Sequence, residues 1–364
     1  MRKAILFLFF LFAAAGLCRQ SMLAQEANSG VDLRATFSGQ FAGSSILTEP
    51  DRSGSLVAAG FRGVFYPTWK ISDHWTVTGA WQLYTSPYFI EDFSNPGFGE
   101  KGDILQATLN YSRVSDKGSL LVRAGQLSTA FGSFLLRYDD ADNPLVDLPL
   151  EYGYYYSPVS TLGVAGAQID ATRGKWDGRV QFANSSPANP RSIFAHDQYG
   201  NWAGGGGYTI RQGLRVGVSS YRGPFLDRQY AYFSPGEANP SSLPAHALGL
   251  DVEWAHGHWT VQGELQKFVM PYTVIPTFEE RAGYVEVKRA LGPRWYIAAR
   301  NGYTSASEGG NEQGIEVAAG FRPGSFQLIK FDYELDHYSQ DQYPFDKSFL
   351  VQYVVTLHRS YAGR

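Results

Sequence analysis

Large apolar side chains occupy every second position in many short segments of the chain. In one of them, Trp75, Val77, Trp81 and Leu83 alternate with smaller or polar residues. A period of two predicts a β-strand with one apolar face. Most of the segments are about ten residues long, the length at which a tilted strand crosses a bilayer. Sixteen segments show the pattern: 33–41, 57–69, 75–83, 103–113, 119–127, 163–172, 176–184, 202–211, 214–222, 246–255, 259–268, 281–290, 295–303, 314–322, 326–336 and 348–358.

The connections between these segments alternate in length. Seven are tight turns, and the intervening eight are mostly longer, the longest being 128–162. Short periplasmic turns and longer extracellular loops are typical of outer-membrane barrels. The sequence therefore predicts an all-β fold, a sixteen-stranded antiparallel transmembrane β-barrel in the cell outer membrane. The predicted tight turns are Ile71–His74, Ser115–Gly118, Arg173–Lys175, Arg211–Gly213, Ala255–His258, Leu291–Arg294 and Pro323–Ser325.

The tryptophans gather near the tight turns. Six of the eight lie within a few residues of one, and indole rings prefer the boundary between hydrocarbon and water. This grouping predicts an aromatic girdle at one rim of the barrel. A soluble β-sandwich or propeller with core tryptophans would not explain it. The six are Trp69, Trp75, Trp176, Trp254, Trp259 and Trp295.

The first 24 residues read as a secretory signal peptide. Arg2 and Lys3 precede an unbroken apolar run from Ala4 to Leu17, which is too short for a comfortable transmembrane helix. Cys18 leaves a lipid-anchored alternative open. Residues 25–364 show no linker or composition break and are predicted to form the barrel domain.

Composition agrees with a β-barrel. Aromatic residues make up 15% of the 364 residues, charged residues only 18%, and 40 residues are glycine. Removing the leader takes away Arg2, Lys3 and Arg19, so 31 − 3 = 28 basic residues remain against 34 acidic ones. No run of basic charge indicates nucleic acid, and no long apolar stretch after the leader indicates a membrane helix.

Sixteen strands, tight turns and a dominant third loop resemble the trimeric porins. Within that group, the segment 122–140 resembles the phosphate-selective porin O and P family, where a Gly-Gln strand end precedes a Phe-Gly in the third loop. Gly125, Gln126, Phe131 and Gly132 match this motif. The resemblance implies a homotrimer and a third loop, 128–162, that folds into the lumen and narrows it. The dense ladder of basic residues typical of that family is absent, so phosphate selectivity does not follow.

Charged residues in the strands mark the predicted lumen. The parity that turns Leu120, Val180 and Val216 outward turns Arg123, Arg179 and Arg215 inward. Charges in a transmembrane segment need water or a partner, so they are expected to face an aqueous channel. Each could instead form an ion pair in the wall without a role in transport. The inward set predicted for the later strands is Asp251, Glu253, Glu264, Glu286, Lys288, Arg300, Glu316, Arg322, Lys330, Asp332 and Glu334.

The predicted third loop is acidic. If it folds inward, its carboxylates would face the arginines of the fifth to seventh strands and create a transverse field across a narrow opening. A solvated surface loop is the alternative. Tyrosines 152 and 154–156 of the same loop could stack on sugar rings or simply pack the loop against the wall. The predicted constriction comprises Arg123, Arg179, Arg215, Arg137, Asp139, Asp140, Asp142 and Asp147.

These features predict a passive porin for small hydrophilic solutes or ions, embedded in outer-membrane lipid. A substrate-specific channel for anions, phosphate or carbohydrate is the alternative, and a barrel enzyme is a weaker one. His256 and His258 flank Gly257 in a tight turn and are too few to bind zinc. Gly204 to Gly207 lack the Lys-Ser/Thr of a phosphate loop. We therefore predict no catalytic residue, metal or cofactor.

Overall fold

The computed structural model describes residues 29–48, 57–86, 88, 99–133, 139–152, 163–184, 200–223, 244–272, 276–307, 310–339 and 344–362. Over these residues, sixteen antiparallel strands form one closed barrel in which each strand pairs with its neighbours in sequence. The strands are β1 Gly30–Ser44, β2 Val57–Lys70, β3 Trp75–Ser86, β4 Gly99–Ser115, β5 Gly118–Leu127, β6 Val164–Arg173, β7 Trp176–Ala183, β8 Asn201–Arg211, β9 Leu214–Gly223, β10 Ala245–His256, β11 Trp259–Met270, β12 Phe278–Ala290, β13 Trp295–Ala306, β14 Gly310–Phe321, β15 Gln327–Tyr338 and β16 Phe345–Ala362.

The barrel closes between its first and last strands. β1 pairs with β16 from Gly30↔Ala362 to Ser44↔Ser348, and with β2 on its other edge. Closure leaves no sheet edge, so the backbone N–H and C=O groups of each strand are hydrogen-bonded to its neighbours. A bilayer requires this because its core offers no other hydrogen-bond partners. The predicted sixteen-stranded architecture is confirmed. β4 and β16 extend beyond the predicted segments because ladder pairing continues past the apolar alternation.

The outer surface of the barrel is apolar. Leu248, Leu265 and Trp176 keep 67%, 64% and 65% of their surfaces exposed, although each is large and apolar. Exposed apolar residues occur along the strands all around the barrel, which is far more than a soluble surface normally carries. Side chains at intervening positions, such as Thr36 and Gln352, are buried inside. This alternation fits hydrocarbon outside and polar groups within.

The described residues contain no helix that is long and apolar enough to cross a membrane. In the same described ranges there are two short 3-10 helices, Ile46–Thr48 and Leu150–Tyr152.

Small apolar clusters form where residues 130–131 and 141–152 touch the inner wall. Phe131 packs on Phe268 with ring centroids 5.8 Å apart, and both side chains are fully buried. Leu145 packs with Tyr296 and Leu328 on another part of the wall. Burying a side chain of this size contributes about 1.5–3 kcal/mol. These contacts hold the segment against the wall at separate points.

Candidate functional site

A cavity of about 260 Å³ lies on the inner side of the barrel, between the wall and residues 128–132 and 139–142. Three arginines and two aspartates contribute to its lining, together with neutral polar groups. Charges of both signs therefore line one cavity, whose volume is several times that of a water molecule. The lining residues are Arg34, Tyr66, Ala80, Leu105, Gln106, Arg123, Ser128, Thr129, Gly132, Asp139, Asp142, Gln168 and Arg179.

Strand alternation places the arginines on the inner face. Arg123 lies opposite Asn110 on β4 and Gln168 on β6, both of which are buried. Residues directly opposite each other in an antiparallel pair share a face. Arg179 on β7 follows the same rule, because its neighbour Val180 is exposed on the outer surface. The predicted inward orientation of these two arginines matches their position in the cavity lining.

Arg34 connects the wall to two aspartates of the segment 139–152. Its Nη2 donates to Asp139 Oδ2 at 3.1 Å and to Asp142 Oδ2 at 3.0 Å. The Thr36 hydroxyl donates to Asp139 at 3.0 Å. These wall groups come from β1, so the carboxylates are bonded to the first strand rather than to β5–β7.

The turn at residues 139–143 is defined by Asp139. Its backbone carbonyl accepts from the amides of Asp142 and Asn143 at 2.9 Å, and its side chain accepts from the amide of Ala141 at 2.9 Å. Aspartate stabilises such turns because its short carboxylate reaches the backbone two residues further on. The turn points the neighbouring carboxylates in different directions.

Asp140 is buried against the wall instead of lining the cavity. It accepts from Arg62 Nη1 at 3.0 Å, from Tyr88 Oη at 2.8 Å and from the Ser38 hydroxyl. Burial by itself would raise the pKa of the Asp140 carboxyl, but Arg62, Lys330, Ser38 and Tyr88 together hold it below its ordinary value. Asp140 is therefore ionised, and it anchors the segment to β1 and β2.

A second anchor binds residues 145–147 to β13–β15. Lys330 Nζ donates to the Leu145 carbonyl at 2.8 Å, and the Val146 amide donates to Asp332 at 2.7 Å. The Asp147 amide donates to Glu316 at 3.0 Å, while Arg300 donates to the Asp147 carbonyl at 2.6 Å. Asp147 is buried by these contacts.

A third anchor joins two parts of the third loop to Glu264 on β11. Its carboxylate accepts from the Ser133 amide and hydroxyl at 3.0 and 2.6 Å and from Tyr152 Oη at 2.7 Å. Gly132 enters this anchor with a φ of +77°, and a Cβ there would overlap the Tyr152 hydroxyl. Only glycine fits this bend without strain. Tyr152 thus packs against the wall, whereas Tyr154–Tyr156 lie outside the described residues.

The wall arginines differ in their partners. Arg123 donates to Asp170 at 2.7 Å. Arg215 donates to Asp177 at 2.6 Å and to Asp251 at 2.5 Å. Arg179 has no ion pair or hydrogen bond within the described part of the chain. Of the three arginines in the cavity lining, Arg179 therefore has the positive charge that is least compensated by nearby carboxylates.

The predicted site residues fall into three groups. Arg123, Arg179, Asp139 and Asp142 line the same cavity. Arg215 lies on the wall outside the lining, because Asp177 and Asp251 hold its guanidinium. Asp140 and Asp147 lie in the anchors, and Arg137 lies outside the described residues.

Asp139 and Asp142 of the predicted third loop line one cavity with Arg123 and Arg179, but they are not bonded to these two arginines. The loop aspartates instead bond directly to Arg34 and Arg62 on β1 and β2, two residues absent from the predicted constriction. The signal was present: Leu33 and Phe41 share the outward parity, which turns Arg34 inward. Both β5–β7 and β1–β2 have inward arginines. The path of the loop decides which of these arginines its carboxylates contact.

The opposite side of the lumen is acidic and covered. Residues 145–152 lie over it, and its carboxylates are buried among a few cations such as Arg300 and Lys330. No group of three or more histidine, cysteine, aspartate or glutamate residues is arranged to hold a metal ion within the described ranges. The buried acidic residues of this wall are Glu264, Glu280, Glu286, Glu312, Glu316, Asp332, Glu334 and Asp336.

No protein-family model and no curated protein match the chain. Solved structures do share its fold. OprB of Pseudomonas putida has a TM-score of 0.64 at 11% identity, covering 91% of this chain and 94% of that one. The anion-selective porin from Comamonas acidovorans has a TM-score of 0.61 at 10% identity, covering 90% and 100%. OmpT of Vibrio cholerae, an outer membrane protein in a trimer form, has a TM-score of 0.57 at 11% identity, covering 90% and 99%. At these identities the likeness shows a porin-like fold.

Proposed function

We propose that this protein is an outer-membrane porin through which small hydrophilic solutes or ions diffuse passively. The observation that carries the proposal is a closed barrel of sixteen strands, apolar outside, whose lumen contains a cavity lined by charges of both signs. Barrels of this size enclose an aqueous channel unless they are plugged. The described parts of the predicted third loop, 128–133 and 139–152, narrow that channel, and the cavity is its selective part.

The proposed constriction consists of Arg123 and Arg179 on the wall with Asp139 and Asp142 on the loop. Opposed charges order the water between them. Displacing this water costs free energy for an apolar solute, whereas a polar solute can replace the hydrogen bonds that the water made. Arg215, Asp140 and Asp147 support this opening from positions in the wall and the anchors. Arg137 remains a predicted member.

A substrate-specific anion channel is the second candidate. Three arginines line the cavity, against two aspartates, and Arg179 has no carboxylate partner among the described residues. The similar fold of the anion-selective porin supports the same candidate. The local match to the phosphate-selective porin O and P family remains a motif of four residues, Gly125, Gln126, Phe131 and Gly132.

The remaining parts of the proposal rest on sequence and fold. We propose a signal peptide over 1–24, a barrel over 25–364 and a place in the cell outer membrane. A homotrimer is supported by the trimer form of the similar OmpT structure. We propose no enzymatic activity and no cofactor.

The test is conductance of the refolded protein in a planar bilayer under a salt gradient. We expect a steady open conductance. The reversal potential under the salt gradient then reports whether the pore prefers cations or anions. A saturable block by phosphate or by a sugar would favour the substrate-specific candidate. A folded barrel without conductance would contradict the porin proposal.

A further inference from the structure

Each even-numbered strand runs towards the end of the barrel that has the short turns. A basic residue lies at or near the last position of all eight of these strands. Tryptophan or leucine then begins the next strand in most cases. The eight residues are Lys70, Arg113, Arg173, Arg211, His256, Arg289, Arg322 and Arg359.

Four of these residues are arginines that face outward, away from the lumen. Arg113 lies opposite Leu120, and Arg173 lies opposite Trp176. In each pair the apolar partner is exposed on the outer surface. Since opposite residues share a face of the sheet, both arginines face the lipid side.

Arg289 and Arg359 repeat this arrangement on other strands. Arg289 lies opposite the exposed Trp259, and its guanidinium carbon lies 4.9 Å from the centre of that ring. Arg359 lies opposite the exposed Leu33, and its guanidinium carbon lies 5.0 Å from the ring of Tyr361. Stacking on these rings holds the two guanidiniums at the level of the aromatic girdle.

None of the four arginines has a carboxylate partner among the described residues. Three acids near this end of the barrel bind other groups: Asp32 binds His358 and Ser360, Asp73 binds Lys70, and Asp177 binds Arg215. Four outward guanidiniums at the edge of an apolar belt thus have no protein anion within the described ranges.

We propose that Arg113, Arg173, Arg289 and Arg359 form a ring that binds the phosphate groups of anionic phospholipids. The barrel's place in a bilayer, proposed above, is required for this, but conductance is not. Arginine suits phosphate because its planar fork donates two parallel hydrogen bonds. Basic side chains beside a membrane also attract anionic lipid electrostatically.

The distribution of the ring favours a lipid leaflet over a soluble partner. The four arginines belong to β4, β6, β12 and β16 of a closed sixteen-stranded barrel, so they point in different directions around it. They cannot converge on one phosphate or one small protein surface. A layer of headgroups surrounds the barrel and meets all four at once.

The other end of the barrel supplies a control. Arg222, Lys267, Arg281 and Lys347 also occupy exposed outward positions there. Lys267 is paired with Glu279 at 3.0 Å. Removing these four charges changes the net charge by the same amount without touching the ring.

The experiment measures the relative association of spin-labelled phosphatidylglycerol and phosphatidylcholine with the protein refolded in phosphatidylcholine vesicles. The wild type is compared with R113Q/R173Q/R289Q/R359Q and with the control R222Q/K267Q/R281Q/K347Q. Folding of each is checked by the shift in electrophoretic mobility on heating. We expect the wild type to prefer phosphatidylglycerol by about two- to fivefold. The ring variant should lose that preference, and the control should keep it.

A ring variant that keeps the wild-type preference would overturn the proposal, as would a control that loses it equally. If the fourfold variant does not fold, R173Q/R289Q is compared with R281Q/K347Q in the same assay. The expected loss of preference for phosphatidylglycerol is then about half as large. Salt at 1 M should weaken the wild-type preference because exposed charges are then screened within about 3 Å. A folded barrel that binds the lipid but does not conduct would refute the porin function alone.

Discussion

The two sides of the lumen hold their charged residues in different ways. Beside β1, β2 and β4–β7, arginines and loop aspartates line an open cavity. Beside β11–β15, the segment 145–152 covers the acidic wall and buries its carboxylates. The same residue types therefore have two different environments. Those at the open cavity are the proposed selectivity residues, and those beneath the loop hold the loop in place.

The comparison explains why only some of the loop carboxylates are candidates for selectivity. Asp142 keeps half of its side chain exposed and contacts Arg34 at the cavity, whereas Asp140 is almost wholly buried against Arg62. Exposed ion pairs contribute about 0–1 kcal/mol to stability. Breaking a buried pair from one side costs about 3–5 kcal/mol. Neighbouring aspartates can thus differ sharply in what they do.

The largest effect is expected from Asp140→Asn. This change removes the carboxylate that accepts from Arg62, whose side chain is fully buried and also donates to Gln82 at 3.2 Å. We expect a loss of about 3–5 kcal/mol in the free energy of unfolding. Urea titration followed by tryptophan fluorescence measures it. Asp142→Asn is the matched control, with an expected loss under about 1 kcal/mol; equal losses in the two variants would erase the distinction between anchor and cavity.

A smaller, pH-dependent effect is expected from Glu151→Gln. Burial, together with the carboxylates of Glu264 and Glu280, raises the pKa of the Glu151 carboxyl well above its ordinary value, and Arg300 offsets this only in part. Both Glu151 oxygens lack a hydrogen-bond partner in the described structure. Above the unfolded pKa of about 4.3, the unfolded chain releases the proton that the folded chain retains. The stability contribution of this group therefore falls as pH rises towards the folded pKa.

The glutamine variant should lose that part of the pH dependence. Unfolding titrations between pH 4 and pH 8 should show a flatter stability profile for Glu151→Gln than for the wild type, with a gain at the alkaline end. Glu100→Gln, at an exposed strand position, is the control. Parallel wild-type and Glu151→Gln profiles would mean that this carboxyl is not protonated beneath the loop.

The smallest effect on stability, but a clear one on selectivity, is expected from Arg179→Gln. Arg179 lines the cavity without a carboxylate partner among the described residues, while Arg215 lies outside it and is paired with Asp177 and Asp251. Removing this positive charge from the cavity should shift the reversal potential under a salt gradient towards cation preference. Arg215→Gln should shift it less. The opposite ranking would place the selective charges elsewhere in the lumen.

The strands and the faces of their side chains could be predicted from the sequence. Alternation around Val122 and Val180 was enough to turn Arg123 and Arg179 into the lumen, because a strand has a side-chain period of two. The partners could not be predicted. Arg34 and Asp139 are 105 positions apart, and their contact depends on the path of an irregular loop across the barrel. Local pattern contains no information on that path.

Glu264 illustrates the same limit. Its inward parity was predicted, but the sequence does not reveal that Ser133 and Tyr152 converge on it from two parts of one loop. Gly132 was singled out only by a family motif. Its positive φ and the closeness of Tyr152 supply the physical reason for glycine at that position.

The central claim, that solutes pass through the cavity beside β4–β7, can be tested with a single introduced thiol. The chain's one cysteine, Cys18, lies in the predicted signal peptide, so residues 25–364 contain no native thiol that could react with the reagent. Gln106→Cys places a thiol in the cavity lining, and Val180→Cys places one on the outer surface. Conductance is recorded before and after a charged methanethiosulfonate reagent is added. We predict a stepwise fall in conductance for Gln106→Cys and no change for Val180→Cys; unchanged conductance in a Gln106→Cys protein shown to be labelled would contradict the claim.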